Sequence, residues 1–248
     1  MSEFITGRRP VLEALEEGTP LEKIILVFGA RGAALQRIRR VARGRGIPVS
    51  ELDKQRFSQL FSDANAQGVA AVVGSKTYAE IDDILQAAKD RGELPFLLVL
   101  DEIEDPHNLG ALIRTAECAG AHGAIIAKHH AASVGQTVAK TSAGASLRLP
   151  VARVTNVAKA IEELKGQGVW VVGADMTGDR LYSEVDYTGP IAVVVGNEGR
   201  GIRRLVKEKC DFIVRIPLYG KIASLNASVA GGLVLYEVAR MRDQGRKV

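Results

Sequence analysis

Three short stretches gather the residue types that could do chemistry: "DPHNLGALIR" at 105–114, "GNEGRG" at 196–201 and "SLNAS" at 224–228. Among their residues are one arginine that stands out (Arg114), one carboxylate in a glycine-rich turn (Glu198), the amides of Asn108 and Asn226 and the hydroxyls of Ser224 and Ser228. A guanidinium stays protonated at neutral pH, so Arg114 is better suited to gripping a phosphate or stabilising a developing oxyanion than to taking a proton. A glycine-rich turn between strand and helix usually cradles a phosphate, but Glu198 would repel one there, and neither GxxxxGK[ST] nor GxGxxG occurs. A carboxylate in that turn suits a cationic ligand or an arginine. Each residue also has a plainer reading: Asn108 as a helix N-cap, Arg114 paired with Glu117, Glu198 on a surface turn, Ser224 or Asn226 capping the last helix. Three small polar groups at the start of an otherwise apolar helix exceed what one cap needs, and buried ones require backbone or ligand partners.

The elements that must position these residues follow from hydrophobic periodicity. Short apolar strands alternate with amphipathic helices along the whole chain, which predicts an α/β fold with mainly parallel strands. Two units are expected. The first, residues 1–75, reads as helix 10–17, strand 23–28, helix 33–43, strand 48–52, helix 54–61 and strand 68–73. A charged, partly helical linker at 76–95 leads to the second unit, 96–248. Its strands are expected at "FLLVL", "GAIIA", "LRLPVARV", "VWVVGA", "IAVVVG" and "FIVRIPL", with helices at "LGALIRTAECAG" and "VAKAIEELKGQG". Asn108 is expected to cap the first of these helices and Gly120 to stop it, while Gly110 in its first turn has no helical justification, since glycine there costs about 1 kcal/mol relative to alanine. Parallel sheets bind ligands beyond the carboxyl ends of their strands, which directs attention to the exits after Leu100, Ala174, Val195 and Ile216.

Composition narrows the function classes. The 248 residues are 46% hydrophobic and 25% charged, as in ordinary globular proteins, and the apolar runs are too short to span a bilayer. The start "MSEFITGRRP" lacks the apolar core of a secretion signal. Cys118 and Cys210 have no paired spacing, and His107, His122, His129 and His130 form no triad or metal-ligand pattern, so no metal is expected and a reducing cytoplasm is the natural compartment. Residues 31–46, "RGAALQRIRRVARGRG", carry six arginines and no acid, the electrostatic footprint of phosphate contact. Arg8, Arg9, Arg37, Arg40 and Arg43 are the RNA-contact candidates.

Taken in order, "NLGALIRTA", "GNEGRGI" and "IPLYGKIASLNASVA" resemble the three motifs of the SpoU, or TrmH-like, RNA ribose methyltransferases of the SPOUT superfamily, over residues 96–242. The N-terminal part, from "ITGRRPVLEAL" to "NAQGVAAVV", is similar to the small substrate-binding domain of RlmB-type members, which methylate a guanosine ribose in 23S ribosomal RNA. The resemblance implies a deep trefoil knot in the C-terminal domain, a homodimer, and S-adenosylmethionine bound by Ala174, Gly196, Ile216, Leu218, Leu225 and Asn226. It also implies catalytic roles for Asn108, Arg114, Glu198, Ser224 and Asn226, with Glu198 holding Arg114. A transfer-RNA target and a non-catalytic RNA-binding assembly factor are the competing expectations; a nicotinamide oxidoreductase is disfavoured by the missing GxGxxG.

Overall fold

The computed structural model describes residues 4–17, 19, 21–61, 66–73, 78–222 and 224–246. The chain divides into two compact units, one running to residue 77 and the other starting at Tyr78. In the first, β1 (Phe4–Thr6), α1 (Arg8–Glu16), β2 (Leu21–Val27), α2 (Ala33–Gly44), β3 (Val49–Leu52), α3 (Lys54–Leu60) and β4 (Val69–Val73) build a four-stranded sheet in the order β1-β4-β2-β3. Only β2 and β3 run parallel, whereas β4 is antiparallel to both β1 and β2. The expectation of mainly parallel strands is therefore not met in this unit. The three-residue β1 gives no period by which sequence could detect it. Leu35, Ile38 and Ala42 form the buried stripe of α2 at helical spacing and pack with Val11 and Leu15 of α1 on β2 and β4.

The second unit holds α4 (Ile81–Asp90), β5 (Phe96–Asp101), α5 (Pro106–Cys118), β6 (Gly123–Ala127), α6 (Gln136–Thr141), α7 (Ala145–Arg148), β7 (Val151–Val154), α8 (Val157–Gly166) and β8 (Trp170–Ala174). It continues with β9 (Arg180–Leu181), β10 (Ile191–Gly196), α9 (Arg204–Lys207), β11 (Phe212–Arg215) and α10 (Ala227–Arg246). The sheet order is β7-β6-β5-β10-β8-β11-β9, and every strand pairing in it is parallel. Such strands are covered on both faces, which explains their unbroken apolar runs. Period two sorts the side chains: Phe96, Leu98, Leu100, Ile191, Val193 and Val195 pack with α5 and α10, while Leu97, Val99, Ala192 and Val194 pack with α4 and α8 on the other face. The charged 76–95 stretch thus carries a helix whose Ile81, Ile84, Leu85 and Ala88 are buried against the second unit's sheet.

Three local expectations are corrected. Within "LRLPVARV" only Val151–Val154 is strand, and Ala145–Arg148 is helix. Pro150, which has no N–H to give a ladder, separates the two. Strand β11 ends at Arg215, so Ile216, Pro217 and Leu218 leave the sheet. Finally, Asp105, not Asn108, caps α5: its carboxylate accepts from His107 N at 2.9 Å, with Pro106 in the first turn. Gly110 is explained by packing, because a Cβ on it would lie 1.9 Å from Thr141 Oγ1 of α6.

Candidate active site

Strand order reverses between β5 and β10: β6 and β7 extend the sheet to one side, and β8, β11 and β9 to the other. A crevice at such a switch point opens beyond the carboxyl ends of the strands. A cavity of about 310 Å³ sits there, walled by Ala174 at the end of β8, Gly196 at the end of β10, Ile216 and Leu218 beyond β11, and Ser224 and Leu225 before α10. Five of the six residues expected at the cofactor thus share one wall. Asn226, the sixth, lies outside it.

Another part of the wall is the turn 197–201, built from its own polar groups. Asn197 N donates to Gly201 O at 3.1 Å and Gly201 N donates back to Asn197 O at 2.8 Å. The Asn197 amide oxygen accepts from Gly199 N, and its Nδ2 donates to Glu102 O at 2.9 Å. A side chain at Gly196 would place Cβ 2.3 Å from the Gly201 carbonyl carbon, so only glycine permits the turn to fold back over the strand end. The turn is anchored from behind by Arg203, whose backbone N, Nε and Nη2 donate to the fully buried Asp101 at 2.8, 2.9 and 2.6 Å. Those hydrogen bonds, together with the charges of Asp101 and Glu102, raise the guanidinium's already high pKa.

Through Glu198, which lines the cavity, the three motif stretches meet by side chains. Asn108 Nδ2 donates to Glu198 Oε1 at 2.5 Å, and Asn226 Nδ2 donates to Asn108 Oδ1 at 3.0 Å. Asn226 Oδ1 accepts from Ser228 N at 2.9 Å and Ser228 Oγ at 2.6 Å, which caps α10. Because an ionised carboxylate only accepts, Glu198 dictates which way Asn108 faces, and Asn108 in turn orients Asn226. The cap and the site are therefore one arrangement. Freed from capping α5, Asn108 is buried, with both ends of its amide engaged.

Arg114 does not join this arrangement. It is exposed on α5 with no hydrogen bond or ion pair to any described residue, and Glu117 lies 4.0 Å from Arg148 instead. The expected Glu198–Arg114 pair is absent because the two α5 positions six residues apart point roughly 120° apart around the axis; the one facing Glu198 is Asn108. Ser224 is exposed on the cavity wall.

Sequence reading missed Asp175, Met176 and Arg200, which also line the cavity. Asp175 follows Ala174 directly at a strand exit, which was the available signal. Burial raises the Asp175 pKa, but bonds from Lys207 at 2.9 Å and from the Thr177 N–H and hydroxyl outweigh it and hold the carboxyl below its ordinary range.

The basic helix of the first unit is less free than its sequence suggests. Arg37 pairs with Glu16 at 2.6 Å, Arg39 with Glu51 at 2.5 Å, and Arg45 donates to Leu15 O at 2.6 Å. Arg9 pairs with Glu13 on an exposed surface, and Arg8 Nε donates to Gln67 O. Arg40 and Arg43, exposed and one turn apart, have no partner among the described residues. Within those residues there is also no cluster of three His, Cys, Asp or Glu able to hold a metal, and no helix long and apolar enough to cross a membrane.

Comparison with known proteins gives this geometry a family. Residues 95–236 match the model of the SpoU rRNA methylase family, and residues 4–79 match that of the RNA 2'-O ribose methyltransferase substrate-binding domain. The chain is 44% identical over 241 residues to YacO of Bacillus subtilis, named for the TrmH family of tRNA/rRNA methyltransferases, covering 97% of this chain and 96% of YacO. Among solved structures, the SpoU methyltransferase AviRb of Streptomyces viridochromogenes with AdoMet aligns at a TM-score of 0.69 and 27% identity, covering 98% of this chain and 91% of that one. An AdoMet-bound rRNA methyltransferase of Sinorhizobium meliloti aligns equally well, at a TM-score of 0.69 and 27% identity over 96% of this chain and 87% of its own. The switch-point cavity, the glycine-rich turn folded over it and the amides that join the three motifs are thus those of a chain that belongs to the SpoU family, an S-adenosylmethionine-dependent RNA methyltransferase.

Proposed function

We propose that the enzyme methylates the ribose 2'-hydroxyl of a guanosine in 23S ribosomal RNA, with residues 1–75 binding RNA, 96–248 carrying catalysis, and the stretch 76–95 joining them while packing α4 on the catalytic sheet. The observation that carries the site assignment is the Asn226–Asn108–Glu198 chain, which ends on the cavity lining. The cavity fits the cofactor: Gly196 lets the 197–201 turn pack over the strand end as one wall, apolar strand ends flank it, and the carboxylates Glu198 and Asp175 favour a cation over a phosphate. S-adenosylmethionine supplies a methyl group on a positively charged sulfur. The chain must then align the ribose oxygen with that methyl and accommodate the departing proton. In this reading Asn108 fixes the Glu198 carboxylate, Asn226 fixes Asn108, and the Ser224 hydroxyl faces the cofactor side. Arg114, unpaired and exposed, grips the flanking phosphate or the developing alkoxide. Arg40 and Arg43, with Arg8, Arg9 and Arg37, supply salt-sensitive RNA affinity.

A homodimer formed by the second unit is supported by an apolar stripe on α10: Val229, Leu233 and Tyr236 are 51%, 40% and 53% exposed at helical spacing. A deep trefoil knot, implied by the family motifs, and a cytoplasmic location complete the proposal. The test is transfer of tritiated methyl to 23S ribosomal and transfer-RNA transcripts. Label in an alkali-resistant dinucleotide of ribosomal RNA, lowered at least about 100-fold by Arg114→Ala with cofactor affinity intact, is the expected result. Label on transfer RNA alone overturns the substrate and keeps the chemistry. Unchanged turnover in Arg114→Ala overturns the role of Arg114.

A further inference from the structure

Phe28 is the most exposed phenylalanine described, at 76%, and it packs in none of the buried clusters and against no other ring. Its place in the sheet makes it unusual. β1, β2 and β3 all run toward the same end of the four-stranded sheet, and β4 starts from that end. Four segments therefore converge there: Gly7–Arg9 after β1, Phe28–Gly32 after β2, Asp53–Arg56 after β3, and Gln67–Gly68 before β4. Their contacts confirm the convergence. Phe28 N donates to Leu52 O at 2.7 Å, Arg8 Nε donates to Gln67 O at 3.2 Å, and Arg8 Nη1 lies 3.3 Å from the position a Cβ on Gly32 would take.

The charge at this end is one-sided. Arg8, Arg9, Arg31, Lys54 and Arg56 come from these segments; their one described carboxylate, Asp53, caps α3 through Arg56 N at 2.9 Å and pairs with Arg56 Nε at 3.7 Å, and Arg9 pairs with Glu13, which leaves Arg8, Arg31 and Lys54 in excess. Arg31 and Lys54 are exposed. Neither α1 nor α2 adds an acid in its first turn. A bare aromatic ring among cations matches an unpaired nucleotide, whose base stacks on the ring while its phosphates meet the guanidinium groups. A paired base inside a helix presents no face to such a ring.

Resting on the RNA-substrate reading above, we propose that Phe28 is a stacking platform for an unpaired base of the RNA, with Arg8 and Arg31 holding the adjoining phosphates. It selects looped RNA over duplex. The experiment is fluorescence anisotropy of the full chain with a labelled stem–loop RNA and with a duplex of the same stem. Phe28→Ala is expected to weaken stem–loop binding by about 5- to 100-fold and duplex binding by less than about 2-fold, while Phe28→Trp keeps the wild-type preference. The slope of log affinity against log salt stays unchanged in Phe28→Ala and falls by about one in Arg31→Gln. If Phe28→Ala binds both RNAs as wild type does, or weakens both equally, the platform is overturned; when Arg40→Gln with Arg43→Gln still lowers affinity in the same assay, the RNA-binding reading survives that failure and a protein partner becomes the occupant of Phe28. A wild-type chain that binds neither RNA overturns both readings.

Discussion

Replacing Asn108 by Asp changes one atom type at the centre of the site. The donor that meets Glu198 at 2.5 Å becomes an oxygen, while the side chain keeps its shape. Two carboxylates at that distance would repel by roughly 7 kcal/mol at an effective dielectric constant of about 20. Glu198 is only half-buried and can turn toward water, so the cost falls toward that of the lost charge-assisted bond, about 1.5–3 kcal/mol. Near the melting temperature this corresponds to about 4–8 °C. The deficit depends on pH with a definite sign. In acid the new pair holds a proton between its oxygens and the hydrogen bond is restored; as pH rises the proton leaves and repulsion appears. Differential scanning fluorimetry of wild type and Asn108→Asp should therefore give nearly equal Tm values near pH 4.5 and the full gap at pH 8, with S-adenosylmethionine affinity falling in parallel. A gap that is the same at both pH values, or smaller than about 1 °C at pH 8, would refute the reasoning.

His122 is buried beneath β5, where Nδ1 accepts from Phe96 N at 3.1 Å and Nε2 lies 3.0 Å from Glu93 Oε2. Desolvation outweighs the Glu93 bond and lowers its pKa, so its stability contribution is complete above the unfolded value of about 6.5 and is lost as pH falls through the lowered folded value; His122→Gln should flatten the decline of the urea midpoint between pH 7 and 5, and parallel declines would contradict this. Gly110→Ala should destabilise by about 2–4 kcal/mol despite alanine's better helix propensity, because its Cβ would strike Thr141 Oγ1, and adding Thr141→Ala should recover part of the loss in denaturant titrations; a neutral or stabilised Gly110→Ala protein would show that α5 and α6 separate freely.

Much of the second unit was legible because its central strands are apolar on both faces, and "FLLVL", "GAIIA" and "IAVVVG" stand out between polar turns. Glu198 and the turn around it were legible for a related reason: polar groups at the ends of such strands have no core role to explain them. What escaped was set by long-range geometry. Asn108 looked like a cap until Asp105 and Pro106 took that position, and its pairing with Glu198 spans 90 residues. The arginine stripe of α2 looked uniformly free, yet Glu16 and Glu51, distant in sequence, neutralise two members. Gly110 made sense only once Thr141 of another helix was found against it. Strand β1 escaped because three residues carry no period.

The hydrogen bond from Asn226 to Asn108 joins residues 118 positions apart, and α10 begins immediately after it. During synthesis, α5 and the glycine-rich turn emerge well before their partner exists. Until Asn226 arrives, Asn108 lacks its Asn226 partner and α10 has no cap, so this arrangement is absent from a nascent chain that stops short of residue 226. On the proposed assignment, folding of the sheet alone therefore does not assemble the site; synthesis must first have passed residue 226.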